Sequence, residues 1–320
     1  MQRRLGFVTV FAIAAVLVIA CGSSGDDANG NGNGNGPNGN GNGDLDGAFV
    51  SNSDGGGSGD GSGNGGNCAA PVDMFIMFDR SGSMDKPQAD NQGDCNIGQN
   101  LNSKWCKSIN ALSGYFKSPG AAGQAAAIQF FPIAGYDKDD RCNDGQGYHV
   151  ASVPSTSYTP LPSPSFDAIL NSESPGHTGG GTPTEPAIRG LTRFSAANRR
   201  PGRVTIGVLI TDGDPNGCNE SLTALSGLLA AHYTATQIRT YVIGMEGASF
   251  DKLEQIAAGG NAPLHADVVG LVKDACGASP GPCRHWNVGD GDPAVFAAAL
   301  AAIQESADGC KDGGGFVNPK

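Results

Sequence analysis

The chain has 320 residues, of which 51 are glycine, and a formal net charge of −11 with only 20 Lys and Arg. The glycine share removes part of that length from any core, so one domain of moderate size is expected. No cluster of Lys or Arg exists to neutralise phosphates, which excludes a basic face for nucleic acid or anionic membrane, and an acidic exterior is also what keeps a surface solvated.

Arg3 and Arg4 precede an apolar stretch from Leu5 to Ala20. It is short and flanked on one side only, so residues 1–20 read as a secretory signal. Its end, Val18-Ile19-Ala20-Cys21, resembles a bacterial lipobox. The resemblance implies cleavage before Cys21, acylation of that cysteine, and a lipid-anchored place in the bacterial cell envelope, at the outer membrane or cell surface rather than the inner membrane. The alternative is an uncleaved anchor helix; in both readings the rest of the chain leaves the cytoplasm. Several acyl chains hold a protein stably on a bilayer where one short chain does not.

Residues 21–67 are this cysteine followed by Gly, Asn, Ser and Asp, including an Asn-Gly alternation from Asn29 to Gly43. With almost nothing apolar to bury, they read as a flexible linker. Its end-to-end distance is on the order of 35–40 Å. Hairpin turns at Asn-Gly would need hydrophobic strands between them, and the tract has none.

Apart from Cys21 there are eight cysteines: Cys68, Cys95, Cys106, Cys142, Cys218, Cys276, Cys283 and Cys310. An even number in an exported chain points to a disulfide framework, and zinc would want paired C-x-x-C spacing. Locality favours Cys95 with Cys106 and Cys276 with Cys283. Cys68 with Cys310 would clip the domain's ends together, leaving Cys142 for Cys218.

Residues 68–312 carry the folded pattern, with a tail at 313–320. Apolar β-rich runs alternate with amphipathic helical stretches, the mark of a doubly wound α/β fold with a mostly parallel central sheet flanked by helices, Rossmann-like, with one antiparallel edge strand. Val72–Asp79 is the first strand and Gln124–Phe131 the second, with Trp105, Ile109, Leu112 and Phe116 on a helix between them. The edge strand is expected near Tyr148–Ser152, inside a long loop. Ile188, Leu191 and Phe194 mark a helix, Val204–Thr211 a strand, Leu222 to Tyr233 a helix, Ile238–Met245 a strand and Phe250 to Ile256 a short helix. Arg284–Val288 reads as the last strand, before a closing helix bearing Val295, Phe296, Leu300 and Ile303.

Three segments carry candidate oxygen ligands, two of them at strand ends, where such sheets bind their ligands. Asp79-Arg80-Ser81-Gly82-Ser83 follows the first strand, Gly180-Gly181-Thr182-Pro183-Thr184 precedes a helix, and Thr211-Asp212-Gly213 ends another strand. Together Asp79, Ser81, Ser83, Thr182 and Asp212 resemble the metal-ion-dependent adhesion site of von Willebrand factor type A domains, over roughly Pro71 to Asp308. The resemblance implies that the first and fourth strands are neighbours. It implies that Ser81, Ser83 and Thr182 are ligands of magnesium, or of manganese in its place, with Asp79 and Asp212 acting mostly through water. It also implies that a protein or peptide partner supplies a carboxylate to the open position. Hydroxyls, carboxylates and waters suit magnesium's octahedral demand, and neutral ligands leave the cation under-neutralised.

Other features have two readings. Asp137, Asp139, Asp140, Asn143 and Asp144 gather oxygens enough for calcium, or form a solvated acidic loop. Asp290 and Asp292 stand where Asp caps a helix. Asp212 to Gly217 opens like an EF-hand, but Thr223 stands where Glu is required. Ser81 lacks the G-x-S-x-G turn of a hydrolase nucleophile and has no identifiable histidine base, and His149, His177, His232, His265 and His285 show no metal-ligand spacing, so no enzymatic activity is expected. Asp85–Ser103, Pro132–Gly179 and Leu264–Cys283 read as insertions; the first two would shape the site if they fold over it. The functional expectation is an envelope-anchored adhesion or protein-binding module, and the alternative a structural or assembly module with an empty site.

Overall fold

The computed structural model describes residues 70–86, 95–133, 142–143, 145, 147–152, 157–176, 181–277 and 281–307, all within one compact unit, Gly63–Lys320. The expected signal, lipobox cysteine Cys21, linker and tail, with Cys68, Cys310 and His177, lie outside the described residues, as do Asp137, Asp139, Asp140 and Asp144 of the acidic loop. Among the described residues no helix is long and apolar enough to cross a membrane.

Val72–Asp79 (β1) is buried at all eight positions, as a strand of a parallel sheet is when both of its faces are covered. The other strands are Ala125–Phe131 (β2), Thr159–Pro160 (β3), Val204–Thr211 (β4), Arg239–Gly244 (β5) and Trp286–Asn287 (β6), in the order β3-β2-β1-β4-β5-β6. Every pairing is parallel except β2 with β3. The expected α/β class, the antiparallel edge strand and the adjacency of first and fourth strands are therefore all present.

The edge strand lies elsewhere than expected. Gly147 takes φ +97° and Tyr148–Ser152 turns instead of extending, although Ser152 N still donates to Ile128 O at 2.7 Å. The ladder is completed by Thr159 and Pro160 against Ala126 and Ala125. Proline has no N–H to give, so an edge is where it is tolerated.

Helices Lys104–Lys117 (α1), Phe166–Ser172 (α2), Thr184–Ala197 (α3), Leu222–Thr236 (α4), Phe250–Gly259 (α5) and Pro293–Ala307 (α6) clothe the sheet. Phe75 stacks on Phe194 of α3 at 3.9 Å, and Phe78 on Trp105 of α1 at 5.1 Å. Positions 75 and 78 point to opposite faces of a strand, so α3 and α1 cover opposite faces. α2 and α6 pack with α1, and α4 with α3 and α5. Asp73 is the charged residue inside β1; it is fully buried and paired with Arg200 and Arg203, as a buried charge must be.

Three of the expected disulfides are present, Cys95–Cys106, Cys142–Cys218 and Cys276–Cys283. The last staples the Leu264–Cys283 insertion, which bridges back on itself at His265 with Cys283 and at Val269 with Val272. Ala275 of this insertion accepts a 2.7 Å hydrogen bond from Asn287 N, on the border of β6 that faces away from β5.

Candidate metal centre

β1 and β4 run side by side and end level, Phe78 opposite Ile210. This register delivers Asp79 and Asp212 to one rim of the sheet. Asp79 is fully buried; its Oδ1 accepts from Ser81 N at 2.7 Å and its Oδ2 from Thr211 Oγ1 at 2.6 Å. The same Thr211 hydroxyl accepts from Gly213 N at 3.2 Å, so one side chain joins the acid on β1 to the turn after β4.

Beyond Asp79 the chain winds into a short 3-10 helix, Gly82–Asp85. Ser81 Oγ lies 3.0 Å from Ser83 Oγ, and Ser83 Oγ donates to Asp212 Oδ1 at 2.8 Å. Thr182, 5% exposed, comes from the loop entering α3, and its carbonyl accepts from Asn216 N at 2.9 Å. A Cβ on Gly213 would sit 3.0 Å from Thr182 Oγ1 and 3.9 Å from Ser83 Oγ. Glycine at 213 thus leaves open a space bordered by both hydroxyls. All five predicted residues are brought to one place.

Arg80, the residue between Asp79 and Ser81, faces the other way. Its Nε donates to Pro132 O at 2.8 Å, its guanidinium pairs with Glu173, and its carbonyl accepts from Gly176 N. Burial lowers its pKa to about 10, still well above neutrality, so the side chain acts as a charged strut that fixes the motif loop against its neighbours.

Two features were not foreseen in the sequence. In the sequence Thr211 is only the end of an apolar run. Lys104, the first residue of α1 and 6% exposed, forms an ion pair with Asp212 Oδ2 and donates to Glu246 O at 2.7 Å. A lysine at a helix start ordinarily reads as solvated, and only its burial marks it out.

The electrostatics fit a cation. Burial first, then the charge of Asp212, push the Asp79 carboxyl up to about 7, against the hydrogen bonds from Thr211 and Ser81. Asp212 Oδ2 is buried, and among the described residues it is met by the Lys104 ammonium. Two acids crowded in low dielectric beside three hydroxyl oxygens form a donor set of the kind a hard divalent ion takes.

The other candidates resolve differently. Asp292 Oδ1 caps α6, accepting from Ala294 N and Val295 N, and Asp290 pairs with Lys107. Asp214 pairs with Lys252. Of the acidic loop only Asn143 is described, accepting from Gly145 N; Cys142–Cys218 ties that loop to the segment after Asp212. His232 meets Ser195, His265 the carbonyls of Ala266 and His285, and His285 meets Glu254. His265, Cys276 and Cys283 gather in space despite their spacing, as do Glu254, Cys283 and His285, but both sulfurs are spent in a disulfide.

No family model and no curated protein matches the chain. Among solved structures it is similar to the vWF domain of a type V pili tip protein from Porphyromonas gingivalis, with 11% identity, TM-score 0.41 and coverage of 74% of this chain and 95% of that one. It is similar to an aerotolerance-related membrane protein from Bacteroides fragilis, with 17% identity, TM-score 0.43 and coverage of 73% and 99%. Proximal thread matrix protein 1 from the mussel byssus matches at 15% identity and TM-score 0.46 over 75% of this chain, which spans 49% of the mussel chain. By its strand order and antiparallel edge strand, the folded part has the α/β architecture of a von Willebrand factor type A domain.

Proposed function

We propose that the chain is a binding protein, not an enzyme, that holds magnesium or manganese at this rim and captures the carboxylate of a protein or peptide partner. Ser81, Ser83 and Thr182 would hold the ion through hydroxyl oxygens, with Asp79 and Asp212 as the balancing charges behind them. The ion would supply a positive centre for the partner's carboxylate. The observation that carries this reading is the 2.8 Å bond from Ser83 to Asp212, which closes the two motifs on each other across 129 positions. Anchoring through an acylated Cys21, on the bacterial envelope with the linker as spacer, belongs to the same reading. So does a calcium role for the acidic loop around Asn143, as a lesser part.

The test is thermal unfolding of the purified full-length protein with magnesium or manganese. At a hundredfold excess over Kd, binding to the native state adds about 2.7 kcal/mol. For a domain of this size that raises Tm by roughly 5–10 °C. Asp79→Ala abolishes the rise. A wild-type protein indifferent to both ions favours the second reading, a structural or assembly module. The Lys104 contact with Asp212 is the observation in that reading's favour, because an ammonium already compensates one acid.

A further inference from the structure

Lys104 occupies a seat that several elements build for it. Ser103 caps α1 by accepting from Cys106 N, and Cys106 is held in turn by Cys95. Lys104 N donates to Lys86 O at 3.1 Å, so the start of the helix is fixed to the end of the motif loop. The side chain then runs to Asp212 Oδ2 and the carbonyl of Glu246. Gly247, at φ +107°, completes the seat: a Cβ there would lie 3.0 Å from Asp212 O and 3.4 Å from Lys104 Nζ. A buried ammonium is costly unless paired and hydrogen-bonded, and this one has both kinds of partner.

Charge counting gives its consequence. With both acids ionised, as a bound divalent ion requires, Asp79, Asp212 and Lys104 together carry −1, so the ion brings the site to +1, where the two acids alone would bring it to zero. Asp212 divides its two oxygens between the Ser83 hydroxyl and the ammonium. An ion entering beside Ser83 must share that acid with a cation already in place.

We propose that Lys104 is a resident cation that competes with the divalent ion for Asp212, keeping occupancy by metal alone weak and leaving the filled site with a positive charge that an anionic partner must satisfy. The inference rests on the metal-site reading above and names what regulates that site. Metal and carboxylate then bind better together than separately, because the partner's negative charge offsets the surplus.

The experiment is a manganese titration by calorimetry of the full-length protein, wild type against Lys104→Met and Lys104→Gln, with Tm read with and without the ion. Loss of the competing charge is expected to tighten manganese binding on the order of tenfold in both variants. It is also expected to enlarge the metal-induced rise in Tm. A merely structural lysine would lower Tm equally in both conditions and leave affinity unchanged. A variant that folds only with manganese is the strongest form of the expected result. Wild-type binding with no gain in either variant overturns this inference and leaves the metal reading standing. Failure of all three proteins to bind overturns both, and failure of both variants to fold with or without manganese assigns Lys104 to structure alone.

Discussion

Thr211 donates its hydroxyl to Asp79 Oδ2 at 2.6 Å, joining the ends of β1 and β4 across 132 positions. The bond is buried, and it gives the acid a donor on the side away from Ser81.

Replacing Thr211 with Val keeps the shape and removes the donor. A buried carboxylate oxygen left without its partner costs about 1–3 kcal/mol, so the Tm of T211V falls by roughly 3–10 °C, while T211S stays near wild type. Denaturant melts of the three proteins check this. Equal midpoints would mean that the hydroxyl does not hold Asp79.

Acid should weaken the fold through His232. Burial first, then the charge of Arg199, lower its pKa from 6.5 to about 4. Between those values the unfolded chain binds the proton and the folded chain does not, so stability is lost as pH falls from about 6.5 toward 4. Asp79 has the opposite sign: with its carboxyl pushed up to about 7, its contribution is present below the ordinary carboxylate range and lost as pH rises toward 7. Melts at pH 4.5 and 6.5 should therefore show a smaller loss on acidification in H232Q than in wild type, and a larger one in D79N without metal. An unchanged slope in H232Q contradicts the first expectation.

The lipobox reading predicts a chemical mark. Mass spectrometry of the mature protein from its native host is expected to show an acylated Cys21 as the first residue. An intact Met1–Ala20 segment would refute the lipobox reading and leave the domain unaffected.

Much of this was legible in the sequence where one physical signal dominated. Val72–Asp79 and Val204–Thr211 are predominantly apolar runs, broken in β1 only by Asp73 before its closing Asp79, and both strands have the predicted bounds. Asp79 and Asp212 sit at the ends of β1 and β4 because chain polarity in a parallel sheet puts them there, and Thr182 comes from the loop entering α3, so a linear motif sufficed to find them. Thr159–Pro160 was not legible, because two residues have no periodicity and only tertiary pairing makes them a strand. Phe166–Ser172 escaped for a similar reason: only Phe166 and Leu170 face inward. Lys104 was hidden more deeply, since nothing local separates a lysine at a helix start from one folded in against a distant acid.

The insertion along β6 bears on how copies of the chain could meet. Asn287 N, on the outer side of that strand, is taken by Ala275, and a strand whose donors are already engaged offers little ladder for another to join. A neighbouring copy therefore finds no free backbone donor at Asn287 with which to extend the sheet.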